Sequence, residues 1–187
     1  MSSRVQPRIK TLTEPAQLRA LTSPTRMRVF QAVQEIGPCG AAQIADRVGM
    51  KPASVYYHVH ALAQAGLIEV AQGEEGQRTV LYRSVAKSVK VAPKAGDTEY
   101  LEALADLASA GLREADRSQR RALHDPEITL SGAEQERLFL QVTSRLTRKH
   151  LRELNRRLIQ LMLDAEDSDT PTTDRRYTIV IAMSPTE

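Results

Sequence analysis

Two short helices joined by a glycine turn, and followed by two short strands, are predicted between residues 41 and 84. An amphipathic helix over 41–48 ends at Gly49, and a second helix begins at Pro52. Beyond that helix, residues 67–70 and 79–82 alternate in the period of a β-strand and are separated by a glycine-containing turn. Helix, glycine turn, helix and hairpin in this order predict a winged helix-turn-helix.

Two more helices are predicted before this pair. The first covers about 14–21, and the second begins with Ser23 as its N-cap and ends near Ile36. The winged helix-turn-helix domain is therefore expected to span 14–92. Residues 1–13 are predicted to form a loosely ordered basic arm.

The second half of the chain is predicted to be helical. After a linker over 85–96, one helix is expected at about 99–121 and a longer one at about 132–164, where apolar residues recur at three and four positions. A helix of that second length would be about 50 Å long, too long to be buried within one small domain. Residues 93–165 are therefore predicted to be a helical dimerisation region, with these leucines at the seam: Leu101, Leu104, Leu151, Leu154, Leu158 and Leu161.

The last segment of the chain, 166–187, is predicted to be a tail. Its residues 175–183 are rich in β-branched side chains and could form a C-terminal strand. A single strand is not stable, so it would need an existing sheet edge. The fold class expected for the whole chain is mainly α with a small β-hairpin.

Positive charge is concentrated in the first half of the chain. Residues 1–92 contain 12 Lys and Arg against 6 Asp and Glu, whereas residues 93–187 contain 14 against 17. Positive charge attracts phosphate, so the first half is expected to bind double-stranded DNA. The single cysteine, the lack of a long apolar run and the lack of a secretory signal predict a cytoplasmic protein without a membrane partner.

The helix that begins at Pro52 has one apolar and one polar side. Val55, Val59 and Leu62 have the spacing of core residues. Hydroxyl, imidazole and cationic side chains on the other positions can bond phosphates or base edges. One of the two tyrosines could instead pack inward, and His58 could cap the core. The residues predicted to bind DNA are Lys51, Ser54, Tyr56, Tyr57, His58 and, in the wing, Arg78.

The segment Gln17–Val85 resembles the ArsR/SmtB-type winged-helix repressors. The similar residues are LRALTSPTRMRVFQAV, then AAQIADRVGMKPASVYYHVHALAQAGLIEV, then the wing ending in RTVLYRS. The Tyr-Tyr-His sequence and the long C-terminal arm are most similar to the larger type called helix-turn-helix domain 20. The resemblance implies that Pro52–Ile68 contains the recognition helix and the start of the wing.

The chain departs from the metal-sensing members of that family. It has neither their Cys-x-Cys pair nor their combination of Asp-x-His with His-x-x-Glu on the C-terminal helix. Cys39 stands alone, and His58 and His60 are two residues apart, so they point to different sides of a helix. No metal site, cofactor or catalytic residue is therefore expected, and the chain is predicted not to be an enzyme.

Two functions agree with these patterns. The first is a homodimeric transcriptional regulator, a repressor that reads a pseudo-palindromic operator through the helix at 52–65. The second is a protein-interaction adaptor that keeps the winged helix as a scaffold and binds a partner through its long C-terminal helix. The sequence does not identify an effector.

Overall fold

The computed structural model describes residues 9–71, 79–92, 96–168 and 177–185. They belong to two compact units, Met1–Gly111 and Leu112–Glu187. The fold is mostly helical with small sheets, as predicted. The elements in chain order are β1 (Ile9–Leu12), α1 (Pro15–Leu21), α2 (Pro24–Ile36), β2 (Cys39–Gly40), α3 (Ala41–Val48), α4 (Pro52–Gln64), β3 (Ile68–Ala71), β4 (Leu81–Ser84), β5 (Ser88–Val91), α5 (Thr98–Leu123) and α6 (Arg148–Asp167).

The helix ends in the first unit follow from local chemistry. The Ser23 side chain accepts a hydrogen bond from the backbone N–H of Arg26, and Pro24 occupies the first turn of α2. Gly49 ends α3 in the left-handed conformation, with a φ of 69°, which side chains with a Cβ rarely adopt. This glycine allows the tight turn between α3 and α4.

One apolar core unites the helices of the first unit. Leu18 of α1, Phe30 of α2, Ile44 of α3 and Leu62 of α4 are all buried and belong to the same cluster. Leu67, which follows α4, is buried in it as well. Because each helix contributes only one apolar side to this cluster, its opposite side remains available to solvent or to a partner.

The predicted hairpin is present. β3 and β4 pair antiparallel, with Glu69 opposite Arg83 and Val70 opposite Tyr82, and β2 adds to the other edge of β4. The short β2 directly precedes α3, so the sheet is joined to the start of the helix-turn-helix. The predicted glycine turn of the wing, 73–76, lies outside the described residues.

A parallel strand pair corrects two predictions. Residues 9–12, expected to be part of a loose arm, form β1, and residues 88–91, expected to be part of a linker, form β5. They pair in parallel from Ile9 opposite Ser88 to Leu12 opposite Val91. The pairing partners are about 80 residues apart in sequence, so local patterns in either segment did not indicate them.

The first half of α5 belongs to the same compact unit as the helix-turn-helix. Tyr100 and Ala103 are buried, and Leu104 and Leu107 pack against the same core. The predicted domain boundary at 92/93 therefore lies before the boundary between the compact units, which falls after Gly111. The reason is that α5 buries one of its sides within its own chain.

The long helix predicted at 132–164 is shorter than expected. α6 begins at Arg148, where the Thr147 hydroxyl accepts a hydrogen bond from the backbone N–H of His150. Before it, the backbone N–H of Glu136 donates to the carbonyl of Thr129 at 2.8 Å, and the Thr129 N–H donates to the Glu136 carboxylate at 2.9 Å. These bonds close a loop in which the Glu136 N–H is not available for a helical ladder.

The Leu138 carbonyl provides a further reason for the shorter helix. It accepts a hydrogen bond from the Gln119 side chain at 3.1 Å, and the Gln119 amide oxygen accepts one from Arg137 at 2.7 Å. Of the possible C-terminal strand at 175–183, residues 177–183 have no regular secondary structure, and the first two residues lie outside the described ranges. Tyr177 in this segment donates a hydrogen bond to the Glu136 carboxylate at 2.8 Å.

Candidate nucleic-acid interface

The helix α4 is held by one side and exposed on the other. Val55, Val59 and Leu62 are buried in the core, as their spacing predicted. Pro52 occupies the first turn, where its missing N–H leaves no hydrogen bond unmade. At the C-terminal end of α4, the Lys10 ammonium donates a hydrogen bond to the Gly66 carbonyl at 2.8 Å. The helix is thus held at this end and along its inner side.

Both tyrosines of α4 point outward. Tyr56 is 55% exposed and Tyr57 is 70% exposed, so neither packs into the core. Ser54 is exposed as well. Ser54 and Tyr57 are three residues apart and therefore neighbours on the helix surface. The structure brings these two predicted residues together on one exposed side.

His58 lies at the border between the exposed side and the core. Its Nδ1 atom is buried and has no hydrogen-bond partner among the described residues, and its ring meets that of Tyr57 edge-on, with 5.3 Å between centroids. Burial, followed by the positive charge of Arg26, holds the pKa of His58 below its usual value. The neutral form of the ring is therefore favoured near pH 7. This form fits a half-buried position in which His58 caps the core, the alternative given in the sequence analysis.

His60 and Gln64 are two exposed residues that the predicted set did not include. They follow Tyr57 by three and seven positions, so they lie on the same side of α4 as its ring. Helical spacing from Tyr57 is the signal that could have identified them. With Ser54 and Tyr57 they define the outer face of α4.

Four arginines of the basic first half are bound within the chain, and the first of them, Arg19, forms an ion pair with Glu99 at 2.7 Å. The Arg26 guanidinium donates to the Ala20 carbonyl at 2.7 Å and so caps the end of α1. Arg47 forms an ion pair with Glu35 at 2.6 Å, and Arg83 forms one with Glu69 at 2.8 Å across the hairpin.

Lys51 and Arg28 are exposed cations whose charges are not paired in this way. Neither has an ion-pair or hydrogen-bonding side-chain partner within the part of the chain that the structure describes. Lys51 is the N-cap residue of α4, and the N-terminus of this helix has no side-chain cap. Its positive charge and the positive end of the helix dipole together favour an anion there. Arg78, the predicted DNA-binding residue of the wing, lies outside the described residues.

Cys39 is buried in β2, where its Sγ lies 3.9 Å from the Tyr82 carbonyl. Burial raises the pKa of its thiol, which disfavours the reactive thiolate. Within the described ranges, His, Cys, Asp and Glu side chains form no group of three that could hold a metal ion. Among the described helices, none combines the length and apolar character that crossing a membrane requires.

The predicted dimerisation leucines have different surroundings. Leu104 packs against the core of its own chain, whereas Leu101 is 43% exposed on the same helix. On α6, Leu151 and Leu161 are exposed, and Leu154 and Leu158 are half-buried. The structure thus gives Leu104 an intrachain role and leaves the α6 leucines with an open side.

A family model described as "Helix-turn-helix domain", of the type 20 that the sequence resembles, matches residues 21–71. The match begins at the end of α1 and includes α2, α3, α4 and β3. No curated protein matches the chain.

Several solved structures are similar to the chain at low identity. A probable transcriptional regulator from Pseudomonas aeruginosa is 20% identical with a TM-score of 0.35, over 79% of this chain and 87% of the other. A MarR family transcription regulator is 15% identical with a TM-score of 0.36, over 83% and 82%. The YusO protein from Bacillus subtilis is 16% identical with a TM-score of 0.33, over 80% and 83%. At these values the likeness does not extend to what the chain binds. Residues 21–71 are a helix-turn-helix domain.

Proposed function

We propose that the chain is a sequence-specific DNA-binding transcriptional regulator whose helix α4 reads the major groove. The observation that carries this proposal is the division of α4 into a buried side and an outer face. Val55, Val59 and Leu62 fix the helix in the core, whereas Tyr57 and its neighbours face outward with hydroxyl, imidazole and amide groups. A recognition helix needs this arrangement, because base edges are read by polar side chains on a rigid support.

The charges near α4 also support DNA binding through its outer face. Lys51 and Arg28 are cations that are not neutralised within the described residues, and Lys51 begins the helix that carries the outer face. Phosphates bound there would position α4, and the outer face would discriminate between bases. The ion-paired Arg83 is expected to contribute less to phosphate binding, because Glu69 already offsets its charge.

We propose more specifically a homodimeric repressor of the ArsR/SmtB-like kind. Each protomer would place one α4 in one half of a pseudo-palindromic site, with half-sites about one helical turn apart. The apolar side of α6 supports a dimer, because a stripe of exposed and half-buried leucines is stabilised when a second protein covers it. A dimer that occupies an operator would block access of polymerase to the promoter.

Gel mobility shift with genomic fragments, followed by sequencing of the bound fraction, tests this function and identifies the operator. With that operator, Ser54→Ala combined with Tyr57→Ala is expected to weaken specific binding far more than binding to random DNA. Ser109→Ala, at an exposed position of α5, is the matched control and should bind as the wild type does. A chain that retained no fragment above background would contradict DNA binding and favour the adaptor function.

A further inference from the structure

The helix α6 has an apolar side that the described chain does not cover. No α6 side chain that the structure describes is buried: on this side Leu151 and Leu161 are 38% and 56% exposed, and Leu154 and Leu158 are half-buried. Leucines at 151, 154, 158 and 161 repeat at three and four positions and form one stripe. The helix has 20 residues and so is about 30 Å long, of which the stripe covers about 15 Å. A single partner helix can cover such a stripe.

The charges of α6 are separated along its length. Residues 148–157 contain five Lys and Arg and only one acidic residue, Glu153. Residues 158–167 contain no Lys or Arg and three acidic residues, of which Asp164 is the first. The helix therefore has a basic first half and an acidic second half, the opposite of an arrangement that would stabilise its own dipole.

Hydrogen bonds within the helix leave part of this charge uncompensated. Arg156 and Arg157 both bond to the carboxylate of Glu153, at 2.7 and 2.8 Å. Arg148 and Arg152 form no ion pair within the described residues. Asp164 accepts a hydrogen bond from the neutral amide of Gln160 and has no cationic partner in the described ranges. A cationic end and an anionic end thus remain at opposite ends of one stripe.

We propose that α6 packs antiparallel against α6 of a second copy of this chain. In this orientation the basic half of each helix lies beside the acidic half of the other, and the two helix dipoles oppose each other. A parallel pair would place the basic halves together and the acidic halves together. The inference rests on the proposed homodimer and specifies its seam: the leucine stripe is covered, and charge determines the direction.

Charge reversal at one end of α6 separates this pairing from other seams. Arg148→Glu with Arg152→Glu should turn attraction into repulsion and weaken dimerisation about tenfold or more, measured by sedimentation equilibrium. Asp164→Lys with Glu166→Lys should have a similar effect. The variant with all four substitutions should restore the wild-type dimerisation constant to within a few-fold. In a parallel pair neither reversal would remove an attraction, and the dimer would not be weakened.

Spin labels measure the direction of the helices independently. Lys149→Cys and Gln160→Cys replace exposed residues, and the labelled wild-type chain controls for the buried Cys39. If antiparallel helices overlap fully, labels at position 149 of the two copies should be about 25 Å apart along the axis, and those at 160 less than about 10 Å. Parallel helices would give two similar distances.

The outcomes for the two proposals differ. A wild-type chain that sediments as a monomer would overturn the homodimer and the pairing of α6 together. A dimer that both charge reversals leave intact, or equal label distances at 149 and 160, would overturn the antiparallel pairing alone. Loss of operator binding in a variant that is still dimeric would bear on α4 and not on this seam.

Discussion

The hydroxyl of Tyr100 donates a hydrogen bond of 2.8 Å to the backbone carbonyl of Leu12, 88 residues earlier in the chain. Both residues are fully buried. The same hydroxyl accepts a hydrogen bond from the backbone N–H of Ala92 at 3.3 Å. Tyr100 thus joins the start of α5 to the ends of β1 and β5, and it explains why this helix belongs to the helix-turn-helix unit.

Tyr100→Phe is expected to destabilise the first unit by about 1–3 kcal/mol, because the Leu12 carbonyl loses a buried partner. Chemical denaturation measures the change in the free energy of unfolding. Tyr57→Phe is the matched control: its ring is exposed, and its hydroxyl has no hydrogen bond within the described residues. Equal stability of the two variants would show that the buried bond contributes little.

Two glycines should respond to alanine in opposite directions. At Gly49 the φ of 69° makes a Cβ unfavourable although nothing lies within 4 Å of it, so Gly49→Ala should cost about 1–2 kcal/mol. Gly111 lies inside α5 with a helical backbone and equally open space. Gly111→Ala should stabilise the helix by about 0.5–1 kcal/mol. Urea denaturation of both variants compares the two effects, and a loss of stability at both positions would contradict the reasoning.

Acid should destabilise the first unit through His58. Because burial and Arg26 lower the pKa of this ring in the folded state, the unfolded chain binds the proton more readily. Stability is therefore expected to fall as the pH decreases through the unfolded value of about 6.5, and this contribution should level off below the folded pKa.

His58→Gln should remove this part of the pH dependence, whereas His60→Gln, at an exposed position of the same helix, should retain it. Unfolding free energies measured at several pH values between about 5 and 8 give both slopes. A His58→Gln variant with the slope of the wild type would show that another group is responsible.

Lys51 should bind a phosphate. Lys51→Ala is expected to weaken the binding of specific and random DNA alike, and to reduce the slope of log affinity against log salt by about 1 for each phosphate that is no longer neutralised. Arg83→Ala removes the same charge from a residue that is already paired with Glu69, so it should change the slope less. Mobility shifts at several salt concentrations provide the comparison, and equal slopes in the two variants would contradict the role of Lys51.

Local patterns were sufficient for most of the helix-turn-helix. Ser23 before Pro24 marked the start of α2, Gly49 marked the turn, and the spacing of Val55 and Val59 identified the buried side of α4. Each of these signals depends on residues within one or two turns of one another. The exposure of Ser54 and Tyr57 followed from the same spacing, because residues opposite a buried stripe face outward.

Long-range partners could not be read from local patterns. β1 and β5 pair across the whole helix-turn-helix, and Leu104 packs on a core built from earlier helices, although its spacing is equally typical of a dimer seam. The predicted helix over 132–147 is wrong: this segment is not helical, and Glu136 bonds to Thr129, an arrangement that hydrophobic spacing does not reveal.

Capping, glycine turns and periodicity act over a few residues. The sequence alone therefore specified which segments of the first unit become helices and which side of each helix is apolar. Only the tertiary structure determined which apolar sides pack against each other. Folding placed Tyr100 against Leu12, bound Arg26, Arg47 and Arg83 within the chain, and left Lys51 available. The physical reason is that burial and charge pairing depend on residues distant in sequence, whose positions are set only when the whole core assembles.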